Sequence, residues 1–227
     1  MNFDVQTLRI LNIIKDSFFP LLIAGVKFTV PLAMVSFTLG SILAMVTALA
    51  RISKYKSLVL ISSFYVWIIR GTPLLVQLFI VFYGLPMAGI TMGPLTAAII
   101  GFTLNVGAYN SEVIRAAILS IPKGQWEAAA SIGMTHTKAL IRIILPQAAR
   151  VSVPPLSNSF ISLVKDTSLA AAITLTEMFQ IAQRITAATY EPLVLYCEVA
   201  FIYLIFCTIL STIQHKIEKK LERYVAR

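Results

Sequence analysis

KGQWEAAASIGMTHTKALIRIILP, residues 123–146, is the one long polar segment of helical pattern between strongly apolar runs. Glu127-Ala128-Ala129-Ala130 favours helix, and Gly133 stands where a helix C-terminus takes a residue tolerant of positive φ. Thr135 is placed to cap a second helix carrying Lys138 and Arg142, and Pro146 is expected to stop it. The pattern is helix, sharp turn, helix. A formal charge of +9 suits a DNA-binding reading of that pattern. The segment is tethered at both ends to apolar spans, however, and has no room to enter a groove.

The chain around it is a membrane chain. Its 227 residues are 58% hydrophobic and 13% charged, with mean hydropathy +0.83, outside the soluble range. Residues 1–18 are polar to mixed, with a possible short amphipathic surface helix, and 19–213 form one transmembrane domain. Its spans are expected near 19–49, 58–85, 94–118, 151–172 and 192–213, with the loop at 119–150. Residues 214–227 make a basic tail. The first span is longer than a bilayer needs, and Arg70-Gly71-Thr72-Pro73 interrupts the second. No cleavable signal peptide is expected, since MNFDVQTLRI lacks a basic start and a small-residue cleavage site. Cys197 and Cys207 read as small apolar residues of the last span, not as a disulfide or metal pair.

Charge bias orients the spans. Arg51, Lys54, Lys56, Lys123, Lys138, Arg142, Arg150, Lys216, Lys219, Lys220, Arg223 and Arg227 fall on one side; Arg9, Lys15 and Arg184 on the other. The positive-inside rule puts the N-terminus outside, and the 119–150 loop and C-terminus in the cytoplasm. The excess positive charge therefore needs no nucleic acid.

Charges inside spans are the functional candidates, because each costs about 2.5–3.5 kcal/mol at mid-bilayer on insertion scales. Arg70 precedes the Gly and Pro that loosen span two, so it either bonds freed carbonyls or meets a ligand. Glu112 and Arg115, at i and i+3, share a face and either neutralise each other or serve a pathway. Lys165 and Asp166 point about 100° apart and need partners elsewhere. Glu198 and Lys27 read as interfacial. Asn105, Asn110, Asn158, Ser159, Ser162, Thr167 and Ser168 add neutral hydrogen-bonding groups to spans three and four, for a solute or for packing between helices. A zwitterionic amino acid needs a cation for its carboxylate and an anion for its ammonium, which Arg115 and Asp166 would supply. His136 and His215 are isolated, and no catalytic or metal-spaced constellation is present.

The Glu-Ala-Ala, Gly133 and Ile143-x-Leu145-Pro146 spacing resembles the EAA loop of bacterial ABC-importer permeases. RGTPLLVQLF at 70–79, AYNSEVIRAAILSIPKGQWEAAASIGM at 108–134 and LPQAARVSVPPLSNSFISLVKDTSLAAAI at 145–173 resemble the polar-amino-acid (histidine/glutamine) permeases, and within them L-cystine permeases most. The resemblance implies an all-α type I importer permease with five transmembrane helices, in a bacterial inner membrane. It implies Arg115 and Asp166 in the substrate pocket, with Glu177, Asn158 and Arg70 as further candidates. Glu127, Ala128, Ala129 and Gly133 would form the coupling helix that docks on an ATPase. The implied partners are a second permease copy, identical or not, two ATPase subunits and an extracytoplasmic binding protein. ATP and magnesium would sit on the ATPase, since this chain has no G-x-x-x-x-G-K-[ST]. Transport by alternating access is expected, with no covalent chemistry. The alternative is an importer of another polar amino acid such as glutamine, histidine or arginine; an ATP-independent channel or secondary transporter leaves the loop unexplained, and an intramembrane enzyme needs a catalytic constellation that the sequence lacks.

Overall fold

The computed structural model describes the backbone of residues 2–222 and the side chains of residues 6–220, so the tail's Arg223 and Arg227 lie outside the described residues. All regular structure among them is helical, as expected. Helices α1 (Asn2–Ala24) and α2 (Val30–Arg51) join through a π-turn at Gly25–Thr29. Next come α3 (Lys56–Arg70), α4 (Leu74–Phe79), a π-turn at Ile80–Gly84 and a 3-10 turn at Leu85–Ala88. After α5 (Pro94–Leu119), the polar loop forms α6 (Lys123–Ser131) and α7 (His136–Ala139). A π-turn at Leu140–Ile144 leads into α8 (Leu145–Asp166), followed by a 3-10 turn at Thr167–Ile173. Finally α9 (Met178–Thr189) precedes α10 (Pro192–Glu222).

Two described helices are long and apolar enough to cross a membrane: Gln6–Arg51, of 46 residues, and Pro192–Lys220. The helices either side of the break at 71–73 make a third if they are one span. α5 and α8, with 26 and 22 residues, are long enough but too polar to join them. These are the helices that carry Asn105, Asn110, Glu112 and Arg115, and Asn158, Lys165 and Asp166. At 1.5 Å per residue the 46-residue helix is about 69 Å long, over twice a hydrocarbon core of about 30 Å. The polar lead-in and the first span are thus one rod.

Each of the three π-turns ends two residues before a proline: Pro31, Pro86 and Pro146. In an α-helix a proline ring collides with the carbonyl four residues back, here Lys27, Phe82 or Arg142. The N–H of the preceding residue instead reaches one carbonyl further, Val30 to Gly25, Leu85 to Ile80 and Leu145 to Leu140. That widens the turn and makes room for the ring. Pro146 therefore does not stop the second helix of the loop, as its sequence position suggested. The helix passes through it into α8.

The chain divides into two compact units. One comprises Met1–Ser36, Leu75–Gly101 and Ile161–Thr212. Its core joins Leu21 and Ala24 of α1 to Met178 and Ala182 of α9 and to Val199, Ile202 and Phe206 of α10. The other comprises Phe37–Leu74, Phe102–Phe160 and Ile213–Arg227. In it, Ala44 and Ala48 of α2 pack on Ile114, Ala117 and Ile118 of α5 and on Ile144 and Ala148 of the loop's second helix. Small residues let α2 and α5 approach closely. A Cβ on Gly40 would meet Val106 at 2.6 Å, and one on Gly107 would meet Leu43 at 2.7 Å. Apolar packing seats the polar loop on this core, through Trp126, Leu140 and Ile143.

Candidate functional site

The loop at 119–150 is built from local signals. α6 starts after Pro122, which leaves no orphan N–H at its own position, and ends in a paired turn. Gly133 has φ +75°, its N–H donates to Ala130 O at 2.9 Å, and Met134 N–H donates to Ala129 O at 3.0 Å. This is a Schellman motif with glycine at the left-handed position. Thr135 then caps α7, accepting from Lys138 N–H at 3.4 Å. Both expectations for this turn are borne out. Trp126 stacks on His136, with ring centroids 4.6 Å apart and planes at 22°, bracing the two helices. His136 therefore has an aromatic partner across the turn. Glu127, Ala128 and Gly133 are exposed, while Ala129 is buried against its own chain. Ile132, 74% exposed, extends the surface that Glu127 and Gly133 present.

A charge cluster lies in the same unit, at the end of α2. Arg115 Nη2 donates to Glu112 Oε1 at 2.7 Å, and its Nε donates to Oε2 at 3.3 Å. Arg51 Nη1 also donates to Glu112 Oε2. The three side chains keep only 18–30% of their surface exposed. Two guanidiniums thus share one carboxylate, leaving a formal surplus of one positive charge. Glu112–Arg115 is the pair that the i, i+3 spacing suggested. Arg51 is the member that sequence reasoning missed, because a basic residue before a short loop reads as topology signal.

Arg70 ends α3 and lies 5.3 Å from the centroid of the Tyr109 ring, a cation–π contact. The freed carbonyls at the helix break are met by other groups. Thr72 Oγ1 donates to Ile68 O at 2.9 Å and Gly71 N–H to Trp67 O at 3.0 Å. Asn158, halfway along α8, accepts from Gln214 Nε2 at 3.1 Å. Asn110, one turn before Ile114 on α5, is 1% exposed, and neither of its side-chain atoms has a hydrogen-bond partner among the described residues.

Asp166 and Glu177 belong to the other unit. Asp166 is the last residue of α8, half-buried, and its side chain does not cap the 3-10 turn that follows. Glu177 is fully buried and caps α9, its Oε1 accepting from Gln180 N–H at 2.8 Å. Its Oε2 accepts at 3.4 Å from Thr29 at the end of the first π-turn and from Tyr203 of α10. Glu177 thus ties three elements of its unit together. Glu198 is 7% exposed, and Ser17 Oγ donates to its Oε2 at 2.5 Å, a partner that its position in the sequence does not show. Both cysteines are free, and no group of metal-ligating side chains occurs among the described residues.

The geometry is a helical chain whose polar loop presents Glu127, Ala128, Ile132 and Gly133 at the surface, and known proteins bear on it. Residues 36–223 match the family of binding-protein-dependent transport system inner membrane components. The L-cystine transport system permease protein TcyB of Bacillus subtilis (strain 168) is 58% identical over 217 residues, covering 95% of this chain and 93% of that protein. The arginine transport system permease protein ArtQ of the same organism is 37% identical, covering 89% of this chain and 93% of that one. A crystal structure of an amino acid ABC transporter with histidines superposes with TM-score 0.84 at 34% identity, covering 89% of this chain and 95% of that one. The fold is that of the type I ABC-importer permeases, as the EAA spacing implied. The chain belongs to the binding-protein-dependent transport system inner membrane component family.

Proposed function

We propose that this chain is the membrane-spanning permease subunit of an ATP-driven importer whose substrate is L-cystine. The observation that carries the substrate is the 58% identity to an L-cystine permease along nearly the whole chain, against 37% to an arginine permease. The chain lies in the bacterial inner membrane with its N-terminus outside and its C-terminus and coupling loop in the cytoplasm. It works as one of two permease copies, with two ATPase subunits and an extracytoplasmic binding protein. Nucleotide and magnesium sit on the ATPases.

In this reading the exposed face of α6, with Glu127, Ala128 and Gly133, meets the ATPase, and Ala129 anchors that face to the permease core. Arg115 supplies a cation for a substrate carboxylate while Glu112, itself held by Arg51, keeps its guanidinium in place. Asp166 takes a substrate ammonium. Arg70 and Asn158 contribute polar contacts along the pathway. Glu177 acts by fixing the elements around the pathway, given its burial and its three hydrogen-bond partners. Closure of the ATPases moves the coupling helix, and the spans alternate the site between the two sides. No bond of the substrate is made or broken.

The test is a substrate panel. The complex is reconstituted with ATP inside liposomes, and uptake of L-cystine, arginine, glutamine and histidine is measured for wild type, Arg115→Ala and Asp166→Ala. L-cystine is expected to be preferred, and both variants are expected to lose uptake of every zwitterion tested. Preference for arginine or glutamine would overturn the cystine assignment. Full uptake by Asp166→Ala would remove that carboxylate from the site.

A further inference from the structure

Glu198 is a buried carboxyl that the transport reading does not use. It lines a groove of about 440 Å³ walled by Ile10, Ile14 and Phe18 of α1 and by Leu193, Val194 and Phe201 of α10. Its Oε2 has one partner, the Ser17 hydroxyl, and its Oε1 has none among the described residues. Ser17 Oγ also lies 2.7 Å from Ile13 O, and a hydroxyl has a single proton to give. The carboxyl therefore receives at most one hydrogen bond from the protein. A polar group left this way in apolar surroundings costs free energy unless a ligand supplies the missing donor.

Depth in the membrane narrows what that ligand is. Eighteen residues of α10 separate Glu198 from Lys216, about 27 Å of helix, close to the full thickness of the hydrocarbon core. Under the topology proposed above, on which this step rests, Glu198 lies where outer-leaflet headgroups meet acyl chains. The groove walls are apolar and the one acid is at that boundary. Arg9, next to Ile10 in the chain, is already held by Thr189 O, to which its Nη2 donates at 2.7 Å, and by a 3.7 Å ion contact with Glu191, so among the described residues Glu198 is the one charged group lining the groove. A carboxyl with an unmet acceptor, set in an apolar groove at that depth, complements an ammonium headgroup with a fatty tail. We propose that the groove between α1 and α10 binds a phospholipid with a primary-ammonium headgroup. An acyl chain lies along Ile14, Phe18 and Phe201, and the ammonium donates to Glu198.

The test is lipid retention by the assembled transporter, read by native mass spectrometry after exchange into defined lipids. Phosphatidylethanolamine, phosphatidylglycerol and phosphatidylcholine separate an N–H-bearing ammonium from an anionic headgroup and from a quaternary one that cannot donate. Wild type is expected to hold phosphatidylethanolamine about tenfold more tightly than either of the others, as one charge-assisted hydrogen bond allows. Glu198→Gln should abolish that preference without changing assembly. Ile14→Trp, which fills the groove, should lower retention of all three lipids. In a Cys207→Ser background, bound phosphatidylethanolamine should also slow alkylation of Cys197, which lines the same groove. Equal retention of the three lipids by wild type would overturn the proposal, as would a preference surviving Glu198→Gln. Cross-linking of Cys197 to the same residue of a second copy would show instead that protein covers the groove. Cystine uptake is scored separately. A substrate other than cystine leaves the lipid site standing, whereas an opposite topology removes its depth argument.

Discussion

Replacing Gly133 by alanine isolates the conformation of the coupling turn from its contacts. Gly133 sits at φ +75°, and a Cβ there would meet nothing within 4 Å, so the substitution introduces no clash within the chain. What it introduces is the left-handed penalty of an L-residue, about 1–2 kcal/mol. That shifts the equilibrium of the formed turn by a factor of about 5–30. Unwinding the turn gives up the 2.9 Å bond to Ala130 O and the 3.0 Å bond to Ala129 O, and it misaligns α6 with α7. Gly133→Asn should cost less, because asparagine tolerates this region better than alanine. The assay pairs hydrogen exchange at Gly133 and Met134 with ATP-dependent uptake by the reconstituted complex. Alanine should speed exchange at both amides and lower uptake, and asparagine should fall between alanine and glycine. If asparagine and alanine were equally harmful with exchange unchanged, the turn would not be the limiting feature. Crowding against a docked ATPase would then explain the loss, and the backbone argument would be refuted.

Three further outcomes follow from the geometry. Glu112→Gln leaves Arg51 and Arg115 facing each other without a counterion, and should destabilise the chain by about 1–3 kcal/mol, a value discounted from a fully buried pair for the 18–30% exposure. Arg51→Met should cost less than that, since Arg115 still neutralises Glu112; thermal unfolding in nanodiscs ranks the two. Pro146→Ala restores an N–H and removes the ring that the π-turn accommodates, so exchange across Leu140–Ile144 should slow, and closing the turn should rotate α7 by about 100° relative to α8. Trp126→Ala removes the stack on His136 and should lose about 0.5–1.5 kcal/mol beyond its area of contact, seen as faster proteolysis between α6 and α7.

What was readable in the sequence was what depends on near neighbours. The Gly133 turn and the Thr135 cap are set by residues within five positions, and both stand where the spacing put them. Glu112–Arg115 is likewise one turn of one helix. Long-range partners were not readable. Arg51 meets Glu112 across 61 positions, and Ser17 meets Glu198 across 181, so neither contact can be read from local spacing. Pro146 departs from its expected role for another reason. The rule that proline ends a helix assumes four-residue hydrogen bonding, and a π-turn lifts that assumption. The helix break at 71–73 is visible from Gly71 and Pro73, but the Thr72 hydroxyl that repairs it carries no such signal.

The central claim is that transport by this chain is driven by ATP through the coupling loop. The direct measurement is L-cystine uptake into proteoliposomes holding the permease, its ATPase and its binding protein, with ATP inside, with ATP omitted, and with the ATPase omitted. The account predicts accumulation against a gradient only when all components and ATP are present. Equal flux without ATP or without the ATPase would contradict it and would make this chain a passive or ion-driven pathway.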